Sequence, residues 1–240
     1  MSVLAYCIVA ATVMLASALQ ASIGFGLGLL AAPIVALVDP RLMPGTLIML
    51  AALLTLMVVI RERQHIDLHG TGWALVGRVP GTLAGALLLS MLTHRALAIL
   101  LAGVVLVGVA LTSFGWIPAP RRRNVVLAGA ASGVLGTATA IGGPPMALVW
   151  QRNTGARLRG TMSGFFLVGS VMSIVALTAT GAVDDHTMRA FALLIPAAVG
   201  GYLLSRPMNR FLDPKRLRWL AIGVSTLGAV LLVGREVLPI

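Results

Sequence analysis

One arginine stands inside an apolar run: Arg78, in Trp73-Ala-Leu-Val-Gly-Arg-Val-Pro-Gly81. An ionisable side chain at that depth of a membrane-length segment is costly and marks a function by default. Its planar fork of donors matches the oxygen pair of a sulfonate, a sulfite or a carboxylate. The competing reading is that Arg78 snorkels to the nearer membrane surface. Candidate polar partners lie far away in the chain, beside two glycine-rich stretches. Gln20 and Ser22 precede Gly24, Gly26 and Gly28, and Thr137 and Thr139 precede Gly142, Gly143 and Pro144. Each of these side chains can hydrogen-bond an anion. The hydroxyls can equally bond their own helix backbone or serve small-residue packing.

The elements that must position these groups are helices broken at glycine. The run Ser132-Gly-Val-Leu-Gly-Thr-Ala-Thr-Ala-Ile-Gly-Gly-Pro-Pro145 predicts a helix ending near Ile141, a break at Gly142-Gly143 and a second short helix from Pro144. Glycine permits backbone angles that other residues avoid, and proline suits the first turn of a helix. The new N-terminus offers unpaired N–H groups and the positive end of a dipole, which favour an anion. A weaker copy runs from Gln20 through Gly28 to Pro33. Paired breaks, one per half of a membrane protein, point to a transport site.

Composition places the chain in the bilayer. Of its 240 residues 58% are hydrophobic and 10% charged, with a mean hydropathy of +0.98. Soluble domains carry about a quarter charged residues. The apolar runs are continuous rather than alternating, which predicts helices and not a β-barrel. The net charge of +11 comes from arginines and the single lysine, Lys215, clustered in short loops, as in cytoplasmic loops near anionic headgroups, so nucleic acid is not an expected partner. Cys7 is the sole cysteine, which excludes an internal disulfide and a thiolate metal site. Residues 1–20 lack the basic n-region of a secretory signal and read as mature helix.

The expected segments are Val3–Gln20, Leu27–Val38, Met43–Ile60, Thr71–Leu92 and Ala96–Phe114, then Asn124–Ile141, Pro144–Trp150, Gly160–Thr180, Thr187–Leu204 and Lys215–Val233. The halves share short matches in order. Gly45-Thr46-Leu47 matches Gly160-Thr161-Met162, Val79-Pro80 matches Ile195-Pro196, and Arg95-Ala-Leu matches Lys215-Arg-Leu. The fold expected is therefore an all-α polytopic membrane protein of two inverted repeats, each with about five helical segments and a glycine-broken or re-entrant hairpin. Residues 1–115 form the first repeat, 116–123 a cytoplasmic linker and 124–240 the second repeat, all within one transmembrane domain. With both termini outside, the cytoplasmic loops hold Arg61, Arg63, Arg121, Arg122, Arg123, Arg152, Arg157, Arg159 and the basic residues of 206–218. The outer loops hold only Arg41, Arg95, Arg189 and Arg235. That asymmetry sets the orientation. Residues 124–150 are too few to cross twice, since each span needs about 20, so this pair reads as a hairpin that enters and leaves on one side.

Enzyme chemistry finds little support. No Walker loop, dinucleotide fingerprint or paired carboxylates are present. The acids and all four histidines fall in predicted loops, so no buried proton relay, metal site or cofactor is expected. An intramembrane serine peptidase built on Ser132 would need a histidine base at the same depth. A channel, or a carrier for another small solute, is the alternative to an anion transporter. A small anionic substrate and membrane lipid are the expected partners, with a homodimer as an allowed assembly.

The break ending in Pro33, Gly45-Thr46-Leu47, Val79-Pro-Gly-Thr-Leu-Ala-Gly85, Ser132-Gly-Val-Leu-Gly136 and Ile141-Gly-Gly-Pro-Pro145 together resemble the sulfite exporter TauE/SafE family, also called the toluene sulfonate uptake permease family. The resemblance covers nearly the whole chain. It implies a bacterial inner-membrane transporter, multi-pass, moving sulfite, organosulfonates or related small sulfur anions. The family's hairpin pattern carries over to Gly24, Gly26, Gly28, Gly142, Gly143 and Pro144. The first hairpin, Ile23-Gly-Phe-Gly-Leu-Gly, departs from the more usual consecutive glycines.

Overall fold

The structure is a computed structural model that describes residues 2–113, 119 and 121–211, with 223, 225–228, 230–231 and 234 near the C-terminus. Its helices are α1 (Val3–Ile23), α2 (Leu27–Val38), α3 (Gly45–Glu62), α4 (Leu68–Met91), α5 (His94–Ser113), α6 (Arg122–Thr139), α7 (Gly143–Trp150), α8 (Gly155–Ala179) and α9 (Asp185–Phe211). Among the described residues there is no strand. Half of the linker expected at 116–123, and most of the segment expected at Lys215–Val233, lie outside the described residues.

Among the described residues five helices are long and apolar enough to cross a membrane: Val3–Ile23, Gly45–His65, Leu68–Met91, Gly155–Ala179 and Asp185–Arg206. The chain is thus a multi-pass membrane protein. By contrast α2 has 12 residues and α7 has 8. At 1.5 Å per residue these reach about 18 and 12 Å, well short of a hydrocarbon core about 30 Å thick.

Acids expected in open loops turn out to set helix ends. Asp67 Oδ1 accepts the Gly70 N–H (2.9 Å) at the start of α4. Asp184 Oδ1 accepts from the Thr187 hydroxyl (2.7 Å) and N–H (2.8 Å) at the start of α9. The Thr187 hydroxyl, then its N–H, holds the Asp184 carboxyl below its ordinary range. Both are N-caps, pairing N–H groups that the helix itself leaves unbonded. Glu62 is likewise no loop residue: it ends α3 and is buried. His69 and His186 belong to the first turns of α4 and α9 rather than to loops.

Packing follows small residues. On α4, Gly77, Gly81 and Gly85 are spaced four apart, and α6 carries Gly129 and Gly133. A methyl group at Gly77 would collide with the Val126 carbonyl, at Gly81 with that of Ala130, and at Gly129 with that of Ala74. Backbones can approach this closely only where side chains are missing. Similarly α9 reaches α1 through Gly201, which faces the Met14 carbonyl and Ser17. Helix α3 packs against α8, with α8 also touching α4 and α9 also touching α3.

These contacts sort the loops by end. At one end Ser2, Tyr6, Leu42, His186 and Arg189 line a common cavity, and Gly45 abuts Thr187. At the other, Arg159 pairs with Glu62 (2.8 Å), and Arg157 lies 3.6 Å from Asp67. Trp73, Arg122, Trp150 and Arg152 share a groove there. That second end gathers Arg61, Arg63, Arg121, Arg122, Arg123, Arg152, Arg157 and Arg159.

Candidate functional site

The first hairpin turns over residues 24–26. Gly24 closes α1 in the left-handed region (φ 93°), its N–H bonded to the Gln20 carbonyl at 2.7 Å. Gly26 follows at φ 124°, an angle that side-chain-bearing residues rarely take. Gln20 fixes the turn from within, because its Oε1 accepts the N–H of Leu27, the first residue of α2, at 3.0 Å. The tip rests on the first turns of α8: a methyl group at Gly24 would lie 3.1 Å from Met162 Cβ and 3.2 Å from Arg159 Cα. Beside it, Glu62 Oε1 accepts from Arg159 Nη2 (2.8 Å) and Nε (3.1 Å) and from Arg61 Nε (3.2 Å). Arg61 Nη2 also donates to the Ala21 carbonyl (3.0 Å), joining α1, α3 and α8.

The second hairpin breaks earlier than its glycines predict. Helix α6 stops at Thr139, and Ala140 takes the left-handed conformation (φ 61°). Gly142 has ordinary helical angles and Gly143 already begins α7. These glycines are needed for proximity, not for turning. A methyl group at Gly142 would meet Ser132 Oγ at 2.9 Å and Arg78 Nη1 at 3.2 Å, and one at Gly143 would meet Phe25 Cδ2 at 2.9 Å. One at Gly28 would collide with the Ala140 carbonyl. The tips of the two hairpins therefore touch.

Arg78 lies against this junction and does not reach the surface; it is 3% exposed. Its Nη1 donates to the Ser132 carbonyl (3.1 Å) and Oγ (2.9 Å), and its Nη2 to Ser173 Oγ (3.5 Å). Ser132 Oγ in turn donates to the Gly142 carbonyl at 2.6 Å, so α4, α6 and the second tip are held in one chain. The guanidinium carbon sits 5.2 Å from the Phe165 ring centre, a cation–π contact. Gly169 leaves its slot open, since a methyl group there would come 2.7 Å from Arg78 Cζ. Among the described residues the buried Arg78 Nε–H has no partner. Among the described residues no carboxylate lies within ion-pair distance of Arg78. A buried cation held by neutral acceptors alone is a natural host for an anion.

Between the tips is a cavity of about 40 Å³, lined by Gln20, Phe25, Gly26, Arg78, Gly142, Gly143 and Ser170 among others. A single water needs about 10–15 Å³ by this measure, so the space suits an ion of a few atoms.

The sulfite exporter TauE/SafE family model matches residues 9–232 of the chain. The protein belongs to this family. Neither curated proteins nor solved structures return a match. TauE/SafE proteins are membrane exporters of sulfite and related anions, not enzymes.

Of the residues read from sequence as substrate-binding in this family member, Gln20, Gly26, Arg78, Gly142 and Gly143 come together at the cavity. The others face elsewhere. Ser22 Oγ donates to the Ala18 carbonyl (2.7 Å) and Thr139 Oγ1 to the Leu135 carbonyl (2.7 Å), each bonding its own helix. Thr137 pairs with Ser173 (2.8 Å), one step behind Arg78. Gly24 rests on α8, and Pro144 packs against Gly108 of α5. Sequence reasoning missed Phe25, Ser170 and Ser173, and it read Gly28 only as part of the first hairpin. It considered Ser132 only as a nucleophile, yet Ser132 bonds Arg78 and Gly142. The regular spacing of Gly77, Gly81, Gly129 and Gly133 was the available signal that α4 and α6 would meet there.

Proposed function

We propose that the protein is a secondary transporter, working as an exporter, that carries a small sulfur oxyanion across the bacterial inner membrane. Sulfite or a short organosulfonate is the substrate class. Arg78 holds the anion, and Gln20, with the backbone at Gly26, Gly142 and Gly143, surrounds it. The reading rests above all on a buried arginine, with no carboxylate partner among the described residues, beside the cavity where two broken hairpins meet. The cavity's size favours sulfite over an aromatic sulfonate. It is also small and lies between contacting tips, which favours a carrier over an open channel.

In this proposal the two halves are inverted repeats and the hairpins are re-entrant. The pairing of α4 with α6 and of α9 with α1 is the support, together with the shortness of α2 and α7. The arginine-rich end faces the cytoplasm and both termini lie outside.

The test separates a fork from a charge. Sulfite binding to purified protein should weaken in Arg78→Lys and weaken further in Arg78→Gln. A charge-assisted hydrogen bond contributes roughly 1.5–3 kcal/mol, on the order of tenfold to a hundredfold in affinity. Wild-type affinity in a well-folded Arg78→Gln protein would remove Arg78 from the site.

A further inference from the structure

A second basic cavity opens at the arginine-rich end, and no residue of the two tips lines it. Its volume is about 310 Å³, against about 40 Å³ for the cavity at Arg78. Four helices and a loop build it. Trp73 comes from α4, Arg122 from the first turn of α6, Trp150 from the last turn of α7, and Arg152 and Asn153 from the loop that follows. Arg157 of α8 closes one side.

Its chemistry is cationic and aromatic at once. Among the described residues the only carboxylate in the lining is Asp67, and that group is engaged as the N-cap of α4, with Arg157 at 3.6 Å. Among the described residues neither Arg122 nor Arg152 has a carboxylate within ion-pair distance. Arg122 is not loose, however: its guanidinium carbon lies 5.0 Å from the centre of the Trp73 ring. The Trp73 indole N–H is already bonded to His69 Nε2 at 3.2 Å, which fixes the platform on which Arg122 stacks. Arg121 and Arg123 flank it, both exposed. A guanidinium spread over an aromatic face keeps its N–H edge for an acceptor.

The position narrows the ligand. Trp residues at helix ends sit at headgroup level in a bilayer, and basic pockets between helices there take anionic headgroups. A free four- or five-atom anion would leave most of 310 Å³ unfilled. We propose that this groove binds the phosphate-bearing headgroup of an anionic phospholipid, with Arg122 and Arg152 on the phosphate and Trp73 and Trp150 beside the glycerol. The lipid would span the open ends of α6 and α7 and tie that hairpin to α4. The inference needs only that the chain lies in a membrane, and it stands apart from the choice of substrate.

The experiment uses the full-length protein purified in neutral detergent. Short-chain phosphatidylglycerol, short-chain phosphatidylcholine and inorganic phosphate are titrated at matched concentrations, reading Tm and bound lipid by native mass spectrometry. Phosphatidylglycerol should bind at least tenfold more tightly than phosphatidylcholine and raise Tm. Inorganic phosphate should do neither. The double change Arg122→Gln with Arg152→Gln should lower phosphatidylglycerol affinity at least tenfold, whereas Arg63→Gln at the same end should not. Arg152→Gln alone, an exposed loop change, gives the same reading in smaller measure if the double variant folds poorly. Equal binding of the two lipids, or undiminished phosphatidylglycerol binding by the Arg152 variants, would overturn the proposal. An equal response to inorganic phosphate would make the groove a vestibule for free anions instead.

Discussion

Arg78 is conspicuous in the sequence because a lone charge in an apolar run has no ordinary explanation. Its surroundings are not. Ser132, Phe165 and Ser173 lie 54 or more residues away, and only the meeting of α4, α6 and α8 brings them to the guanidinium. Glu62 was hidden for a related reason. A carboxylate at the edge of an apolar run reads as solvated, yet Arg61 and Arg159 fold over it. Ser132 is where the local account can be tested at one atom. Ser132→Ala removes the 2.9 Å acceptor from Arg78 and the 2.6 Å donor from the Gly142 carbonyl, leaving both groups buried. Unsatisfied buried groups cost about 1–3 kcal/mol. The variant should melt lower than wild type and bind sulfite on the order of tenfold more weakly. Unchanged Tm and affinity would mean that the serine plays no part in holding the arginine.

At the scale of elements, the two interrupted helices were readable from glycine and proline, and α2 was placed to the residue. The exact turn of the second hairpin was not. Nothing in Ala140 itself announces a left-handed residue, which costs an alanine roughly 1–2 kcal/mol, and the adjacent glycines drew the predicted break two residues downstream. Those glycines make the contact between tips instead, with Gly143 on Phe25 and Gly28 on the Ala140 carbonyl. Tertiary proximity of this kind leaves only a small residue in the sequence, indistinguishable from one that turns the chain. Gly143→Leu should therefore insert into the membrane and purify normally but lose sulfite transport, because its side chain would wedge the tips apart. Near-normal transport by a well-expressed Gly143→Leu protein would show that contact between the tips is dispensable.

For the whole molecule, the charge asymmetry between loops and the grouping of loop ends agree on which segments share a side. With Cys7 replaced by Ser, single cysteines at Arg122 and Asp185 should separate the two ends. A membrane-impermeant thiol reagent applied to intact cells should label position 185 and spare position 122. Labelling at 122 from outside would reverse the orientation. The central claim is that a small sulfur oxyanion crosses through the cavity at Arg78. Its most direct measurement is efflux of radiolabelled sulfite from proteoliposomes, compared with protein-free vesicles and with vesicles holding Arg78→Gln. Wild-type protein should carry sulfite, and an aromatic sulfonate more slowly, and the variant should lose at least tenfold in sulfite flux at subsaturating concentration. Wild-type vesicles that leak sulfite no faster than empty ones, or an Arg78→Gln protein that transports it as well as wild type, would contradict that claim.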